Sequence, residues 1–473
     1  LRVERSRAAV TVVTLAVTLA VGLTACGDTT GSGGAPSGSA RSGSGSAAPT
    51  ATNVYLQQRA QGVQALLDRL SHVLVEGREG ALDVLIDEAA SPAFRTSVQT
   101  AWADLSSAAP APERAARLRM RTLRYQLAPT EEAETLVPAA VQERLDAQGS
   151  TDSWVAPVEM HFALGGARTP GIDEEEVVIA SQVVVARYPD TTGTGDSWRL
   201  VGDASLVGEP SPPQQIWSFP GLAVQDVPTA GGTSVIASYP DTAALDRRVA
   251  GLLPGAVDAV SAFWGDDWAR RAIVVTTATD EQFAGLAGAG HGVDGAAAAT
   301  VYARVDVSQH VATGQRVILT PQAADLAAPT LGVVLRHELT HVATRSVTAA
   351  AAPMWLTEGV PEYVGRKGTH TRAADAAPDL AAAVRDGHTP TALPADDAFA
   401  VNSESARLAY QSAWSVAAFV ADRFGEDRLK TLYTGVAASG DTARQDVAIR
   451  AALGIDRTQL VARWRAWLEA EMR

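Results

Sequence analysis

The chain has 473 residues, 46% of them apolar, and a formal net charge of −14. That length suits two or three domains with real cores, which excludes a globally disordered chain. The acidic balance argues against nucleic acid as a partner, because gripping phosphates needs a basic surface.

In chain order, Arg2, Arg5 and Arg7 precede an apolar run over residues 8–23, which stops at Leu23-Thr24-Ala25-Cys26. Cys26 is the only cysteine, so no disulfide forms within the chain. The run is short for a spanning helix, which needs ~20 residues. This pattern resembles a bacterial lipoprotein signal over residues 1–26. The resemblance implies lipidation of Cys26 after cleavage and a protein held outside the cell, on the outer face of the cytoplasmic membrane. An uncleaved membrane anchor is the alternative. Residues 27–52 are nearly all Gly, Ser, Ala, Thr and Pro, with Asp28 and Arg41 the only charges. Such a segment buries too little apolar surface to fold and reads as a flexible tether.

Residues 53–208 read as a small α+β domain. Leu56, Val63, Leu66, Leu67 and Leu70 mark one helical face, and a second apolar run follows at 82–86. Strands come later: Val158, Met160, Phe162 and Leu164 alternate with other residues, 177–186 is rich in β-branched residues, and Trp198, Leu200 and Val201 follow a Gly-rich turn. The element order faintly resembles the cone-shaped nuclear-transport-factor-like fold. No catalytic constellation appears here. His72 and His161 are lone histidines that read as ordinary surface or core residues, and the run Asp173-Glu174-Glu175-Glu176 reads as a solvated turn rather than a cation site. Residues 209–232, opening Glu209-Pro210-Ser211-Pro212-Pro213, read as a linker.

From 233 to the end the chain reads as one catalytic domain. Strands are expected at 234–238, 272–276, 301–307 and 316–320, with helices at 245–264 and 280–286. Then comes LRHELTHVATRSV, followed by an Ala-rich turn and Met354-Trp355-Leu356-Thr357-Glu358-Gly359-Val360-Pro361-Glu362-Tyr363. Leu331, Val334, Leu335, Leu339 and Val342 follow the spacing of a buried helical stripe, and no Pro or Gly interrupts 333–347. On that helix His337 and His341 share a face and can reach one metal ion. Glu338 lies beside the open position of such an ion, where it can take a proton from water. Glu358 is the natural third ligand. Pro361 is costly inside a helix and tolerated in its first turn, so the ligand helix is expected to begin near Glu358.

HELTH followed by WLTEGVPEY resembles the gluzincin metallopeptidases, specifically the peptidase MA-like group. The resemblance implies a thermolysin-like catalytic domain in which a mixed sheet precedes a helical half. It implies zinc held by His337, His341 and Glu358, with Glu338 as base, and a peptide or protein substrate. The gap from His341 to Glu358 is slightly shorter than in thermolysin or the zinc aminopeptidases. Thr344 and Val347 stand where a metzincin needs Gly and His, which excludes that class. The Gly-x-Met-Glu-Asn motif of zinc aminopeptidases has no counterpart in GQRVILTP at 314–321, so an endopeptidase is expected. In gluzincins the edge strand of the sheet lines the cleft, and 316–320 is the expected strand.

After Tyr363 the chain reads as helical to its end, with a polar interruption at 365–402. Tyr410 opens a helix resembling the one that presents a tyrosine to the tetrahedral intermediate, so it is the expected oxyanion donor; packing between helices is the alternative. His370 and His388 read as surface residues. Glu362, one turn after Glu358, either orients a ligand histidine or is an exposed helix charge. A competing reading of the whole chain is a lipid-tethered binding or scaffold protein with a structural or degenerate zinc site. Closed structural sites need four protein ligands and this motif supplies three, which favours catalysis.

Overall fold

The computed structural model describes residues 54–110, 117–129, 135–165, 175–189, 197–209, 214–288, 297–400 and 404–472. The lipoprotein pattern with Cys26, the tether, Asp173, Glu174 and the Pro-rich 210–213 lie outside them. Among the described residues no helix is long and apolar enough to cross a membrane.

The first half is an antiparallel sheet clasped by helices. α1 (Val54–Val75), α2 (Gly80–Asp83) and α3 (Pro92–Leu105) precede β1 (Met120–Leu127), α4 (Ala139–Ala147), β2 (Asp152–Leu164), β3 (Val177–Tyr188) and β4 (Ser197–Asp203). The strands pair in the order β1-β2-β3-β4. Because β-strand side chains alternate between faces, Val183 and Val185 of β3 join α1 and α3 in one core, whereas Val184 and Ala186 pack with Val141 and Leu145 of α4 on the other. β1 lacks a clear alternating signature, since Met120–Leu127 interleaves Arg and Gln among its apolar residues.

The next strand corrects the linker expectation. Residues 216–218 form a buried 3₁₀ turn around Trp217, and β5 (Ala223–Thr229) pairs antiparallel with β6 (Gly232–Ser238). β5 carries Pro228 and only two buried side chains, so it reads as loop; at a sheet edge a proline is tolerated. α5 (Ala243–Trp264), β7 (Ile273–Thr276), α6 (Asp280–Ala287), β8 (Ala298–Val301), the hairpin β9 (Arg304–Asp306) and β10 (Val311–Thr313), and β11 (Arg316–Leu319) follow. The mixed sheet has the order β5-β6-β7-β11-β8, with β6, β7 and β11 parallel and β8 antiparallel. The edge-strand expectation for 316–320 is therefore overturned: β11 sits inside the sheet, and β8 is the edge. Alternation again divides the faces. Ile236, Val274, Val317 and Leu319 face the helical half, whereas Val235, Val275 and Ile318 share a core with Phe162 and Leu164 of the first domain and with Trp217 of the 3₁₀ turn.

The rest is helical: α7 (Ala328–Thr344), α8 (Met354–Thr357), α9 (Gly359–Arg366), α10 (Ala373–Ala376), α11 (Pro378–Arg385), α12 (Glu404–Phe424), α13 (Glu426–Val436), α14 (Thr442–Leu453) and α15 (Arg457–Glu471). α10 and α11 lie within the expected polar interruption, where Leu380, Ala381 and Val384 supply a short buried face. α7 starts on Pro329, placed in the first turn where its missing N–H costs little. Leu331, Val334, Leu335 and Leu339 are completely buried, each worth ~1.5–3 kcal/mol. The helix is held by one face and presents the other, polar face to α9.

Candidate metal centre

α7 and α9 pack together so that four ionisable side chains meet away from the protein surface. His337, Glu338 and Glu358 have no exposed surface and His341 has 2%. His337 Nε2 and His341 Nε2 are 3.1 Å apart, and Glu358 Oε2 stands 3.4 Å from the first and 3.6 Å from the second. A tetrahedral zinc with bonds of ~2.0–2.1 Å separates its donors by roughly 3.3 Å, so the three atoms form one face of such a polyhedron. Both Glu358 oxygens are buried with no hydrogen-bond partner, as a carboxylate reserved for a cation would be. The donor set fits zinc. Among the described residues this group of three is the one metal-competent cluster.

Local chain geometry explains the convergence. Glu358 is the hinge between α8 and α9, with φ −99° and ψ −37°, so the ligand helix does begin there and Pro361 falls in its first turn. Gly359 lets α9 press against α12: a Cβ there would lie 2.4 Å from the Ala413 carbonyl oxygen. Gly365 serves the α7 side, where a Cβ would meet the Val333 carbonyl at 3.0 Å.

The electrostatics follow from burial. Desolvation pushes the Glu338 carboxyl up to about 7, against the opposing pull of His341 and a hydrogen bond from Thr300. It also raises Glu358 and holds the His341 imidazole down at about 4, keeping it neutral with its lone pair free for a metal. Thr300 Oγ1 donates to Glu338 Oε2 at 2.6 Å, leaving Oε1 buried and unpartnered. Thr300 lies on edge strand β8. Nothing in the run Ala297-Ala298-Ala299-Thr300 singles it out, and only the sheet order brings it to Glu338.

Glu362 is buried, with Oε1 3.5 Å from His337 Nδ1 and Oε2 accepting from Arg366 Nε. The exposed-charge alternative is thereby removed. Tyr410 is also buried, its ring edge-on to Phe399 at 5.1 Å in a small cluster with Met354, Ala409 and Ala413. His370 and His388 are exposed and stand outside the metal group, so neither is a fourth ligand. In the first domain His72 is exposed beside Glu76, and His161 is satisfied by Glu159 at 2.9 Å and Arg124 at 3.1 Å.

Residues 312–470 match the family model described as Peptidase MA superfamily. Over these residues the protein is a gluzincin-like zinc metallopeptidase. The match covers the HELTH helix of this metallopeptidase, its Glu358 segment and the C-terminal helices. No curated protein matches the chain. Among solved structures, the M1 zinc metallopeptidase from Deinococcus radiodurans is similar at 12% identity with a TM-score of 0.31, covering 75% of this chain and 72% of that one. A mutant of that enzyme bound to a Tyr-ser-ala substrate gives 13% and 0.32 over the same shares. Likeness at that level carries no argument; the family match and the ligand geometry do.

Proposed function

We propose that this metallopeptidase is an endopeptidase that cleaves extended peptide segments, with His337, His341 and Glu358 as zinc ligands and Glu338 as the general base. The observation that carries the reading is the free Glu338 Oε1 beside a three-donor metal group that has no fourth protein ligand among the described residues. When bound, zinc supplies Lewis acidity toward the scissile carbonyl and the attacking water. Glu338 takes the water's proton on Oε1 and passes it to the leaving amine. Thr300 keeps the carboxylate aimed by holding Oε2. Glu362, braced by Arg366, fixes the ring of His337 from its far side. The open edge of β8 receives the substrate main chain by strand addition, which is indifferent to side chains. Tyr410 is the proposed hydrogen-bond donor to the developing oxyanion.

The first domain is read as a nuclear-transport-factor-like spacer or substrate-presenting module, supported by helices packed on a four-stranded antiparallel sheet. The segment around Cys26 is read as a lipid anchor, placing the enzyme outside the cytoplasmic membrane. Metabolic labelling with palmitate, lost in Cys26→Ala, tests that reading; labelling that persists in the variant overturns it.

The test of the chemistry is Glu338→Gln. The variant is expected to retain about one zinc per chain while hydrolysis of a quenched peptide library falls by at least ~10²–10⁴-fold. Undiminished turnover would refute the assigned base.

A further inference from the structure

Arg345 ends α7 one turn past His341 and is 97% buried, with 3% of its surface exposed. Its guanidinium lies over the ring of Tyr302 at 4.7 Å, and no side-chain hydrogen bond or ion pair joins it to the described residues; Nε is fully buried without a partner. A cation buried to this degree is costly, since it loses most of its hydration and gains in return only a ring face and the longer-range field of Glu358. The other charges nearby are already matched. Glu362 is paired with Arg366, and Glu338 and Glu358 would together balance one divalent ion at the three-donor group. The charge of Arg345 is left over, close enough to be felt at His341 and Glu358.

Its position relates it to substrate. Thr300 and Tyr302 are two residues apart on and just beyond edge strand β8, so their side chains point to the same side. Thr300 meets Glu338 and Tyr302 meets Arg345. Strand and helix thus run side by side, with the base at one point and the guanidinium farther along. Seven residues of α7 separate the two by about 10 Å, and a peptide extended on β8 covers that in about three residues at ~3.3 Å each.

We propose that Arg345 is a substrate-binding residue that takes a carboxylate two or three residues from the scissile bond, making this a metallopeptidase selective for an acidic side chain or for a chain terminus. The inference rests on the peptidase reading and names the substrate feature that the same cleft selects. Guanidinium and carboxylate form paired, charge-assisted hydrogen bonds, and the Tyr302 ring holds the guanidinium plane ready for them.

The experiment uses alanine-based peptides in which one Asp is walked through three positions either side of the centre. A second set has no acidic side chain and ends in either a free carboxylate or an amide. Cleavage by the wild type is measured together with binding to zinc-loaded Glu338→Gln by fluorescence anisotropy, each alone and with Arg345→Gln or Arg345→Lys. The expected result is a preference of about 10-fold or more for the acidic peptide over the neutral one at one position. That ratio should collapse to near one in Arg345→Gln and be partly retained in Arg345→Lys. A side-chain source shows in the Asp walk, and a terminal source in the free-acid against amide pair. A purely structural arginine would weaken acidic and neutral peptides alike; an unchanged ratio in Arg345→Gln, or no acidic preference in the wild type, overturns the proposal. If the wild type cleaves no peptide, the peptidase reading fails, and the binding ratio still decides the role of Arg345.

Discussion

Replacing Glu358 by glutamine separates two free energies that the metal centre combines. Without metal, the wild-type carboxylate is fully buried with neither oxygen hydrogen-bonded, 3.4 Å and 3.6 Å from two imidazoles. A buried ion costs several kcal/mol after relaxation, offset here chiefly by the neighbouring His337 and, more weakly, by the field of Arg345. Glutamine keeps the shape and removes the charge, so in EDTA at pH 8 the variant is expected to be about 1–3 kcal/mol more stable than the wild type. With zinc the order of effects reverses. At free zinc of about 1,000 times Kd the wild type gains ~4.1 kcal/mol. Loss of the anionic donor should weaken zinc by at least ~100-fold, leaving the variant roughly 1.4 kcal/mol at the same concentration. Urea melts with and without zinc, together with zinc counted per chain, measure both numbers. An EDTA baseline that falls by more than about 1 kcal/mol would refute the buried-charge argument, and equal zinc shifts in the two proteins would refute the ligand assignment.

Other perturbations address the supports of the site. Thr300→Val removes the 2.6 Å hydrogen bond to Glu338, a bond to a charged group worth ~1.5–3 kcal/mol, so kcat/KM should drop about 10-fold or more with zinc content unchanged. Gly359→Ala drives a methyl into the Ala413 carbonyl oxygen and should cost ~1–3 kcal/mol in a thermal melt, with weakened zinc binding because Glu358 must shift with it. Asp104, whose carboxylate accepts from the Leu222 N–H, has a pKa raised by burial to about 7. The folded state therefore keeps a proton that the unfolded chain releases near pH 4, and stability falls as pH rises from about 4 to 7. Asp104→Asn should flatten that decline, gaining ~1–3 kcal/mol at pH 8, after allowance for solvent screening, and nothing at pH 4. A parallel offset at both pH values would contradict this.

What the sequence alone determined about this protein is whatever depends on local period. Four-residue spacing puts His337 and His341 on one face of α7 whatever surrounds it, and the stripe from Leu331 to Val342 says which face is buried. Proline chemistry located the start of α9 at Glu358, because Pro361 is tolerated only in a first turn. Strands before the helical half were legible for the same reason, from β-branched runs, whereas their joining into a mixed sheet was implied only by the family resemblance. Tertiary structure decided everything that turns on which elements become neighbours. β8 and β11 are both short and buried, and only the packed sheet makes the Ala-rich one the edge and the Val-Ile-Leu one internal. The partnership of Thr300 with Glu338, the stacking of Arg345 on Tyr302, and the recruitment of β5 from an apparent linker follow from that order. Helical spacing alone places Arg345 seven residues beyond Glu338, on the same side of α7, but its missing counter-charge is visible only once every neighbour has been placed. Periodicity is a property of a few consecutive residues, whereas strand order and charge balance are sums over the whole core.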